Sequence, residues 1–406
     1  MQVSIHPMKS RDLLSLQWPT PPRNVLVVSK NNDSRVKAAL LEYASHVNDT
    51  YPGVSLIFEP DLAKTVHDDL TFPVYALDRN QDRHNSYTDK VDLVTTLGGD
   101  GTILHAASLF ATAKRVPPVL SFSMGTLGFL GEWKFLEYKR AFREVYVSGL
   151  GTNLPARSTD EAPAVSTAGI SNDAHSDLHR GKSMGASRSS RILLRNRLKI
   201  GIYSSDGKQL PYETVKTSDT GVRDIYALNE VLLHRGAAPH LAHITIMIGS
   251  PPNQRILTTA IADGFLISTP TGSTAYSLSS GGSIVHPLVS SLLLTPICPR
   301  SLSFRPLVLP ANTPVTLRIE EENRGKEIEV SIDGVRRRQG LRAGMEVRVL
   351  GEEVSTYGQH GKKDWRGGVP SIVRGASGTG GDPGADHWVG GLNRLLKFNY
   401  PFGEDG

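Results

Sequence analysis

Cysteine is scarce in this sequence, and its scarcity excludes two kinds of site. Cys298 is the single cysteine among 406 residues. The chain can therefore form neither an internal disulfide nor a zinc site built on paired cysteines. Because disulfide-dependent folds belong to oxidising compartments, we expect a protein of a reducing compartment.

Long apolar runs and dense arginine blocks are also missing. No apolar stretch approaches the roughly 20 residues that a membrane-spanning helix needs, and the net charge of +5 is only mildly basic. We therefore expect no membrane and no nucleic acid as partner, whereas such a charge suits an anionic substrate such as a nucleotide. With 39% apolar residues, the chain is long enough for two domains with cores of their own.

Residues 1–23 form an N-terminal leader with few charges and a few leucines. A mitochondrial presequence is usually longer and richer in arginine, so this leader is at most a weak or truncated presequence. Its composition favours an ordinary frayed terminus.

Strands and helices alternate over residues 24–148. Apolar and β-branched runs predict buried strands, and helical spacing predicts helices between them. The predicted strands are 24–29, 54–58, 92–97 and 118–122, and the predicted helices are 34–46 and 103–112. This alternation is typical of an α/β domain with a parallel sheet covered on both faces. Ligands of such sheets bind where strands end in loops, and the segments 98–102 and 123–130 fall there.

Residues 191–350 have a different pattern of predicted elements. Strand-like runs follow one another, with one short helix at 274–280. Strands without intervening helices predict a second, all-β domain, most simply a β-sandwich. The predicted strands are 192–203, 225–234, 242–249, 256–268, 315–320, 328–332 and 346–349.

Two segments carry little periodicity. Residues 149–190 are rich in Ser, Ala, Asp, His and Gly, and they predict a disordered insertion. Residues 351–406 begin Gly-rich and end in a dense apolar patch at 388–402. Such a patch is too hydrophobic for a free tail, so we expect it to pack back on the body of the protein.

The turn at residues 98–102, with the sequence Gly-Gly-Asp-Gly-Thr, is the most organised segment of the first domain. Glycines let a backbone approach a phosphate closely, and the free N–H groups of a helix start favour an anion. A carboxylate beside a phosphate is repulsive unless it binds a metal or removes a proton, so Asp100 suggests phosphoryl transfer. A helix cap is the other interpretation, and the pentapeptide by itself gives the two equal weight.

Residues 263–287 form a second constellation, dense in hydroxyls and glycines around a helix start. A capped helix after a β-turn explains two or three of these residues but not all of them. Upstream, Asn229 and Glu230 lie between Leu228 and Val231. A carboxylate among apolar neighbours needs a partner, which a bound ribose or amide would supply; an ordinary buried hydrogen-bonded pair is the rival interpretation.

Taken together, these segments resemble the NAD kinase family. The resemblance spans most of residues 24–350 and rests on the segments 98–102, 229–230, 263–264, 269–276, 281–282 and 286–287, in that order. The glycine turn is weakly specific, because diacylglycerol kinases, sphingosine kinases and phosphofructokinases carry similar turns. The block 269–276, Thr-Pro-Thr-Gly-Ser-Thr-Ala-Tyr, is far more specific. The segments 302–310, 388–393 and 396–403 are similar to those of the fungal mitochondrial NADH kinases within the family.

The resemblance implies that the γ-phosphoryl group of ATP is transferred to the adenosine ribose 2′-hydroxyl of NADH or NAD, giving NADPH or NADP. Asp100 matches the family's proton acceptor. The pair Asn229 and Glu230, with Asp263 beside it, matches the residues that hold the nicotinamide riboside end, and Cys298 falls near a bound base. The full set of matching binding positions is Gly99, Gly101, Thr102, Asn229, Glu230, Asp263, Thr271, Thr274, Ala275, Tyr276, Ser279 and Cys298.

The resemblance also implies the surroundings of the reaction. Mg²⁺ or another divalent metal would arrive with ATP, and no protein metal site is assigned. A homo-oligomer is implied, a dimer or a multiple of it. The implied location is the mitochondrial matrix, with the cytoplasm as the alternative.

Two other functions stay open on the residues. A lipid or sugar kinase would share the 98–102 turn, although the 269–276 block argues against it. A non-catalytic dinucleotide sensor would fit the motifs only if the phosphate-transfer geometry were spoiled. The preference between NADH and NAD is not displayed, because the two differ by one charge and by the planarity of one ring, so contacts of about 1–3 kcal/mol would decide.

Overall fold

The computed structural model describes residues 4–8, 11–30, 33–77, 83–125, 128–131, 133–149, 189–211, 224–355, 365–374, 388 and 392. No helix of this part of the chain is long and apolar enough to cross a membrane. The helices are α1 (Ser34–Thr50), α2 (Pro60–Val66), α3 (Arg83–Lys90), α4 (Asp100–Ser108), α5 (Tyr138–Tyr146) and α6 (Tyr276–Ser279), with 3₁₀ turns at His67–Asp69, Phe135–Glu137 and Thr271–Thr274.

The strands build three sheets. In chain order they are β1 (Ser4–Met8), β2 (Arg11–Gln17), β3 (Asn24–Ser29), β4 (Ser55–Phe58), β5 (Tyr75–Ala76), β6 (Leu93–Leu97), β7 (Val119–Ser123), β8 (Trp133–Lys134), β9 (Arg191–Arg195), β10 (Leu198–Tyr203), β11 (Gln209–Leu210), β12 (Ile225–Ala227), β13 (Glu230–His234), β14 (Ala242–Ile248), β15 (Arg255–Ala262), β16 (Gly264–Ser268), β17 (Ser291–Ile297), β18 (Leu307–Pro310), β19 (Val315–Ile319), β20 (Glu329–Ile332), β21 (Val335–Arg336), β22 (Glu346–Gly351) and β23 (Val369–Val373).

The first sheet has a parallel centre. Its strand order is β1-β2-β9-β23-β7-β6-β3-β4-β5, with β8 paired to β7. Five of the six residues of β3 are buried, as expected for a strand covered on both faces. Helix α1 turns an apolar stripe that includes Leu40 and Tyr43 towards this sheet. Its cap is Asp33, which accepts a hydrogen bond from the Arg35 amide at 3.0 Å.

The N-terminal leader is not a frayed terminus, and that prediction is wrong. Strands β1 and β2 pair antiparallel at one edge of the first sheet, and β2 continues onto β9. Leu16 and Trp18 are buried, and the Trp18 indole N–H donates to the Val145 carbonyl at 2.7 Å. The alternation of Leu14, Leu16 and Trp18 is strand spacing, which a judgement by composition overlooks.

The predicted start of the second domain at residue 191 is also wrong, whereas its predicted end at residue 350 lies within one residue of the end of β22. Strand β9 belongs to the first sheet, although it opens the segment predicted as the second domain. Strand β23 lies inside the segment predicted as Gly-rich, yet all its residues are buried between β9 and β7. The chain therefore leaves the first sheet after β9, builds the second domain, and returns at β23.

The second domain is a β-sandwich of two antiparallel sheets. The seven-stranded sheet runs β11-β10-β22-β19-β14-β15 with β12 paired to β10, and the six-stranded sheet runs β18-β17-β16-β13-β20-β21. Both sheets contribute to one buried apolar cluster, with Ile244 and Leu317 from one side and Phe265 and Val330 from the other. The expected class, an α/β domain followed by a β-sandwich, is confirmed.

Three runs predicted as single strands change sheets. The run 192–203 breaks between β9, in the first sheet, and β10, in the seven-stranded sheet. The run 225–234 breaks after β12, and its second half, β13, pairs in the other sheet. The run 256–268 breaks at Asp263 between β15 and β16 in the same way. Asn229 and Asp263 lie at these two corners, where the chain passes from one sheet of the sandwich to the other.

A buried arginine fixes the two domains together. The Arg197 guanidinium donates to the Phe110 and Ala113 carbonyls at 3.2 and 2.8 Å, and it pairs with Glu352 at 2.7 Å. The Tyr226 amide donates to the Ala111 carbonyl at 2.7 Å. The segment that follows α4 is thereby held against the first strands of the sandwich.

The predicted C-terminal contact is seen at one residue. The Trp388 ring meets the His286 ring at 4.7 Å between centroids. The rest of the patch 388–402, apart from residue 392, and the predicted insertion, apart from residues 149, 189 and 190, lie outside the described residues.

Candidate active site

Asp100 is held at the carboxyl edge of the parallel sheet. It follows β6 at the start of α4, and its neighbour Gly99 is the residue that precedes the helix. The Asp100 carboxylate accepts the Phe129 amide at 3.0 Å and the Leu130 amide at 3.2 Å. These donors come from the loop that follows β7, the strand beside β6. The carboxylate is therefore turned towards a neighbouring loop and does not cap its own helix.

Two glycines are needed for this arrangement. A Cβ at Gly128 would collide with the Asp100 carboxylate, and a Cβ at Gly98 would collide with the Thr102 hydroxyl. Gly99 and Gly101 differ, since a Cβ built on either would meet nothing within 4 Å. The turn is thus packed tightly on its protein side and open on the other, which is the shape of a backbone cradle for a phosphate.

Arg195 supports the loop that holds Asp100. It is buried, its Nη2 donates to the Phe129 carbonyl at 3.3 Å, and its Nε donates to the Ser371 hydroxyl at 3.1 Å. Arg195 lies on β9 and Ser371 on β23, the two strands by which the chain leaves and re-enters the first sheet. No sequence motif marks Arg195 or Phe129, because their role depends on this distant pairing.

The second part of the site is the corner at residues 228–230. One carboxylate, that of Asp333, accepts the amides of Leu228 and Asn229 at 2.7 Å and that of Glu230 at 3.1 Å. Asp333 has a positive φ of 47° in the turn between β20 and β21. The sequence marks it only as a turn residue, through the following glycine, so its role at this corner was missed.

The corner presents two polar atoms without a partner among the described residues. They are the Asn229 Oδ1 and the Glu230 Oε2, both buried. Burial, and after it the charge of Asp333, raises the pKa of Glu230 to about 8. Burial raises the pKa of Asp333 to about 6, although its three amide donors and Arg197 act in the opposite direction. Near pH 7 Glu230 is therefore mostly protonated and Asp333 ionised. Among the residues that the structure describes, no group makes a hydrogen bond to the Glu230 Oε2.

The turn at 269–274 is clamped onto the same corner. The Thr269 hydroxyl donates to the Leu228 carbonyl at 2.6 Å and accepts the Gly272 amide at 3.0 Å. A Cβ at Gly272 would collide with the Asn229 carbonyl. Of the predicted binding positions that follow, Thr271 is buried, Thr274 and Ala275 are half-buried, and Tyr276 and Ser279 are exposed.

Helix α4 connects Asp100 with this corner. Ala106 and Ala107, near its end, lie in one apolar cluster with Leu228. Asp100 at the start of α4 is therefore linked to Leu228, the neighbour of Asn229, through the length of one helix.

Asp263 and Cys298 lie elsewhere, and the prediction that Asp263 lies beside Asn229 and Glu230 is wrong for a single chain. Glu230 pairs with Ser268, but His234 pairs with Gly264, so Asp263 follows the far end of the same strand pair. Four residues of strand amount to about 13 Å. Cys298 lies at that far end as well, because Gly264 pairs with Ile297. Asp263 accepts the Arg235 Nε at 2.6 Å, and Cys298 is exposed.

Comparison with known proteins identifies the family whose domains contain Asp100 and the corner at residues 228–230. Residues 25–149 match the ATP-NAD kinase N-terminal domain and residues 228–355 match the ATP-NAD kinase C-terminal domain. The chain is 36% identical to the mitochondrial NADH kinase of Schizosaccharomyces pombe, over 97% of this chain and 80% of that protein. It is 34% identical to the mitochondrial NADH kinase of Saccharomyces cerevisiae, over 96% and 84%.

A solved structure agrees with the sequence comparisons. The crystal structure of yeast NADH kinase complexed with NADH superposes with a TM-score of 0.72 at 32% identity, covering 100% of this chain and 96% of that one. The fold and the two matching domain families define a two-domain nucleotide phosphotransferase. The chain belongs to the NAD kinase family, and as a member it is an enzyme that phosphorylates NAD(H) with ATP to give NADP(H). These similarities do not support the lipid kinase, sugar kinase or sensor alternatives.

Proposed function

We propose that Asp100 is the general base for transfer of the γ-phosphoryl group of ATP to the adenosine ribose 2′-hydroxyl. The observation that carries the proposal is the Asp100 carboxylate, held by the Phe129 and Leu130 amides at a turn that is otherwise open. Two donated hydrogen bonds leave a carboxylate with lone pairs to spare, so it can still accept the hydroxyl proton. General bases of this kind contribute roughly 10²–10⁴-fold to a rate.

The corner at residues 228–230 supports a role in holding the dinucleotide. A protonated Glu230 offers an O–H donor, and the Asn229 Oδ1 offers an acceptor, both at buried atoms without a protein partner in the described part of the chain. A ribose hydroxyl or a carboxamide both donates and accepts, and it can satisfy the two atoms together. Asp333 fixes the backbone of this corner and does not touch the ligand in this proposal.

The donor ATP approaches from the other side of the Asp100 turn. A cavity of about 320 Å³ there is lined by Lys30, Lys37 and Ser34, and also by Asp33 and Asp61. The Lys30 amide donates to the Leu97 carbonyl at 3.1 Å, which places this cavity on the same sheet edge as Asp100. Lysines at this position suit the triphosphate.

The divalent metal arrives with ATP and is held mainly by phosphate oxygens. The described residues contain no group of three or more His, Cys, Asp or Glu that could hold a metal. Such a chain fits Mg²⁺, which keeps several waters and binds through substrate phosphates with one or two carboxylates at most. Asp100, and Asp33 and Asp61 in the lining of the cavity, are the carboxylates at hand. When bound, the ion neutralises charge on the transferred group.

A second copy of the chain completes the dinucleotide site. Asp263 and Cys298 match binding positions of the family, yet within one chain they lie at the far end of the β13–β16 pair. A homo-oligomer would resolve this by presenting that end to the cleft of another copy. Edge strands β15 and β18 expose apolar side chains that suit such a contact, with Ile256 at 66% and Val308 at 45% exposure.

The preferred substrate is NADH and the location is the mitochondrial matrix. Both points rest on the similarity to the two fungal mitochondrial NADH kinases. The ratio of kcat/KM for NADH to that for NAD, measured with ATP, tests the preference.

Asp100→Asn tests the central proposal. The amide keeps the size of the side chain but cannot take up a proton, so turnover should fall at least a hundredfold while NADH binding, measured by calorimetry, stays within threefold. The matched control is Asp89→Asn, an exposed aspartate on α3. Near-normal turnover of Asp100→Asn would remove Asp100 as the base. Phosphorylation of diacylglycerol or sphingosine but not of NADH by the unmodified enzyme would overturn the function as a whole.

A further inference from the structure

An ion pair joins two helices near the carboxyl edge of the first sheet. The His105 Nε2 lies 3.0 and 2.9 Å from the two carboxylate oxygens of Glu59. Because a carboxylate only accepts hydrogen bonds, this nitrogen carries the hydrogen and donates. The hydrogen bond with Glu59 raises the pKa of His105 above its usual value of 6.5, although burial acts in the opposite direction. We call this contact the His105–Glu59 bridge, and neither residue belongs to the motifs that place the chain in its family.

The bridge connects helices on opposite faces of the sheet. Helix α2, which begins directly after Glu59, packs into the apolar cluster that contains Val27 of β3. Helix α4, which carries His105, packs into the cluster that contains Val28 of β3. Successive side chains of a strand point to opposite faces, so the two helices belong to the two different helical layers. The bridge links these layers, with β3 between the strands β4 and β6 that lead into them.

The two linked layers carry the two halves of the proposed reaction site. Helix α4 begins with Asp100, the proposed base. Helix α2 contributes Asp61, Leu62 and Thr65 to the lining of the proposed donor cavity. In phosphoryl transfer the attacking and leaving oxygens must lie roughly in line, so the position of the donor relative to the base decides the rate. The bridge is therefore placed to control that position.

Helix α2 is held more weakly than α4. It is 7 residues long, and Glu59 stands at its N-cap position without a side-chain capping hydrogen bond. Helices this short depend on tertiary contacts for their position. Helix α4 is anchored at its start, where Asp100 accepts the Phe129 amide. It is anchored again just beyond its end, where Arg197 donates to the Phe110 carbonyl. Loss of the bridge should therefore displace α2 and leave α4 in place.

We propose that the His105–Glu59 bridge is a positioning pair that holds α2 as one wall of the donor cavity and thereby sets the affinity for ATP. The two side chains touch neither substrate in this proposal, because they act through the wall residues of α2. The inference rests on the proposed donor site beside Lys30. Its effect is confined to the donor, since the corner at residues 228–230 packs against the end of the anchored helix α4.

Steady-state kinetics of His105→Ala, Glu59→Ala and the double variant test the pair. The His105 side chain is 49% exposed, so solvent screens the bridge and the effect is moderate. Each single variant should raise the KM for ATP about three- to tenfold, while kcat and the KM for NADH change by about twofold at most. The double variant should be no worse than either single variant, because the loss of one partner already breaks the pair.

A conservative variant and a matched control sharpen the test. His105→Gln keeps an N–H donor and should bring the KM for ATP back to within about twofold of the unmodified enzyme. The control is His67→Ala, because His67 directly follows α2 and pairs with Asp68 at 3.0 Å without reaching the other layer. Its KM for ATP should not change. An equal rise in His67→Ala and His105→Ala would overturn the proposal.

Lys30→Met separates this inference from the donor site on which it rests. An unchanged KM for ATP in His105→Ala overturns the positioning role in every case, even if the unfolding midpoint of that variant falls. If Lys30→Met then raises the KM for ATP, the donor site stands without the bridge. If Lys30→Met also leaves the KM for ATP unchanged, the proposed donor site fails together with the inference.

Discussion

Replacing Glu230 by glutamine tests the electrostatics of the 228–230 corner. Glu230 has a pKa of 4.5 in the unfolded chain and, through burial and the charge of Asp333, about 8 in the folded one. A carboxyl whose pKa is raised by folding contributes its stability fully below the unfolded value, and that contribution is lost as the pH rises through the folded value. At 1.36 kcal/mol per pKa unit, the loss between pH 4.5 and 8 is on the order of 5 kcal/mol as an upper bound.

Glutamine has the shape of the protonated acid and does not titrate. Glu230→Gln should therefore match the unmodified protein in stability near pH 5 and exceed it at pH 8 by about 2–4 kcal/mol, which corresponds to several degrees in the unfolding midpoint. Some decline up to about pH 6 should remain in the variant, because burial also raises the pKa of Asp333.

Urea unfolding followed by circular dichroism at pH 5, 6.5 and 8, without nucleotide, measures the effect. The control is Glu321→Gln, which removes an exposed carboxylate and should leave the pH dependence unchanged. Parallel stability curves for Glu230→Gln and the unmodified protein would refute the protonated Glu230, and with it the donor assigned to the dinucleotide site.

Two further changes test how Asp100 is held. Gly128→Ala introduces a Cβ that would stand 2.5 Å from the Asp100 Cγ. In a steady-state assay kcat should therefore fall about 10–100-fold, with NADH affinity retained. The control is Gly125→Ala, whose Cβ would meet nothing within 4 Å and which should leave kcat unchanged. Arg195→Met removes the donor to the Phe129 carbonyl and should lower kcat about tenfold or more without changing the KM for NADH; a variant that folds, by circular dichroism, and keeps full kcat would contradict the role given to Arg195.

Local patterns were sufficient to predict much of the first domain. The strand β3 has the predicted bounds 24–29, and β6 and β7 differ from theirs by one residue at most at each end. Consecutive buried positions are typical of parallel strands, and the apolar run of β6 ends where the glycine turn begins. The same local logic failed at residues 225–234 and 256–268, since a strand that changes sheets at Asn229 or Asp263 keeps its β-forming composition throughout.

Long-range pairings set the limits of prediction in the site. Asp100 lies within the glycine turn, so the sequence displays it. The Phe129 and Leu130 amides that hold its carboxylate come from the loop that follows β7. Asp333 stands more than 100 residues from the amides that it binds, and only the pairing of β13 with β20 brings them together. No periodicity encodes such a contact.

The sequence by itself determined the chemistry of this protein: a glycine turn with one carboxylate, a hydroxyl-rich helix start, and a pair of polar residues among apolar ones, in an order that resembles one family. Those features depend on residue types a few positions apart, which a linear sequence displays. The tertiary structure decided which of them share a site. The antiparallel register places Asp263 and Cys298 about 13 Å or more from Glu230. The return of the chain at β23 places Arg195 behind the loop that holds Asp100. Both follow because strand partners are set by packing across the whole fold and not by neighbours along the chain.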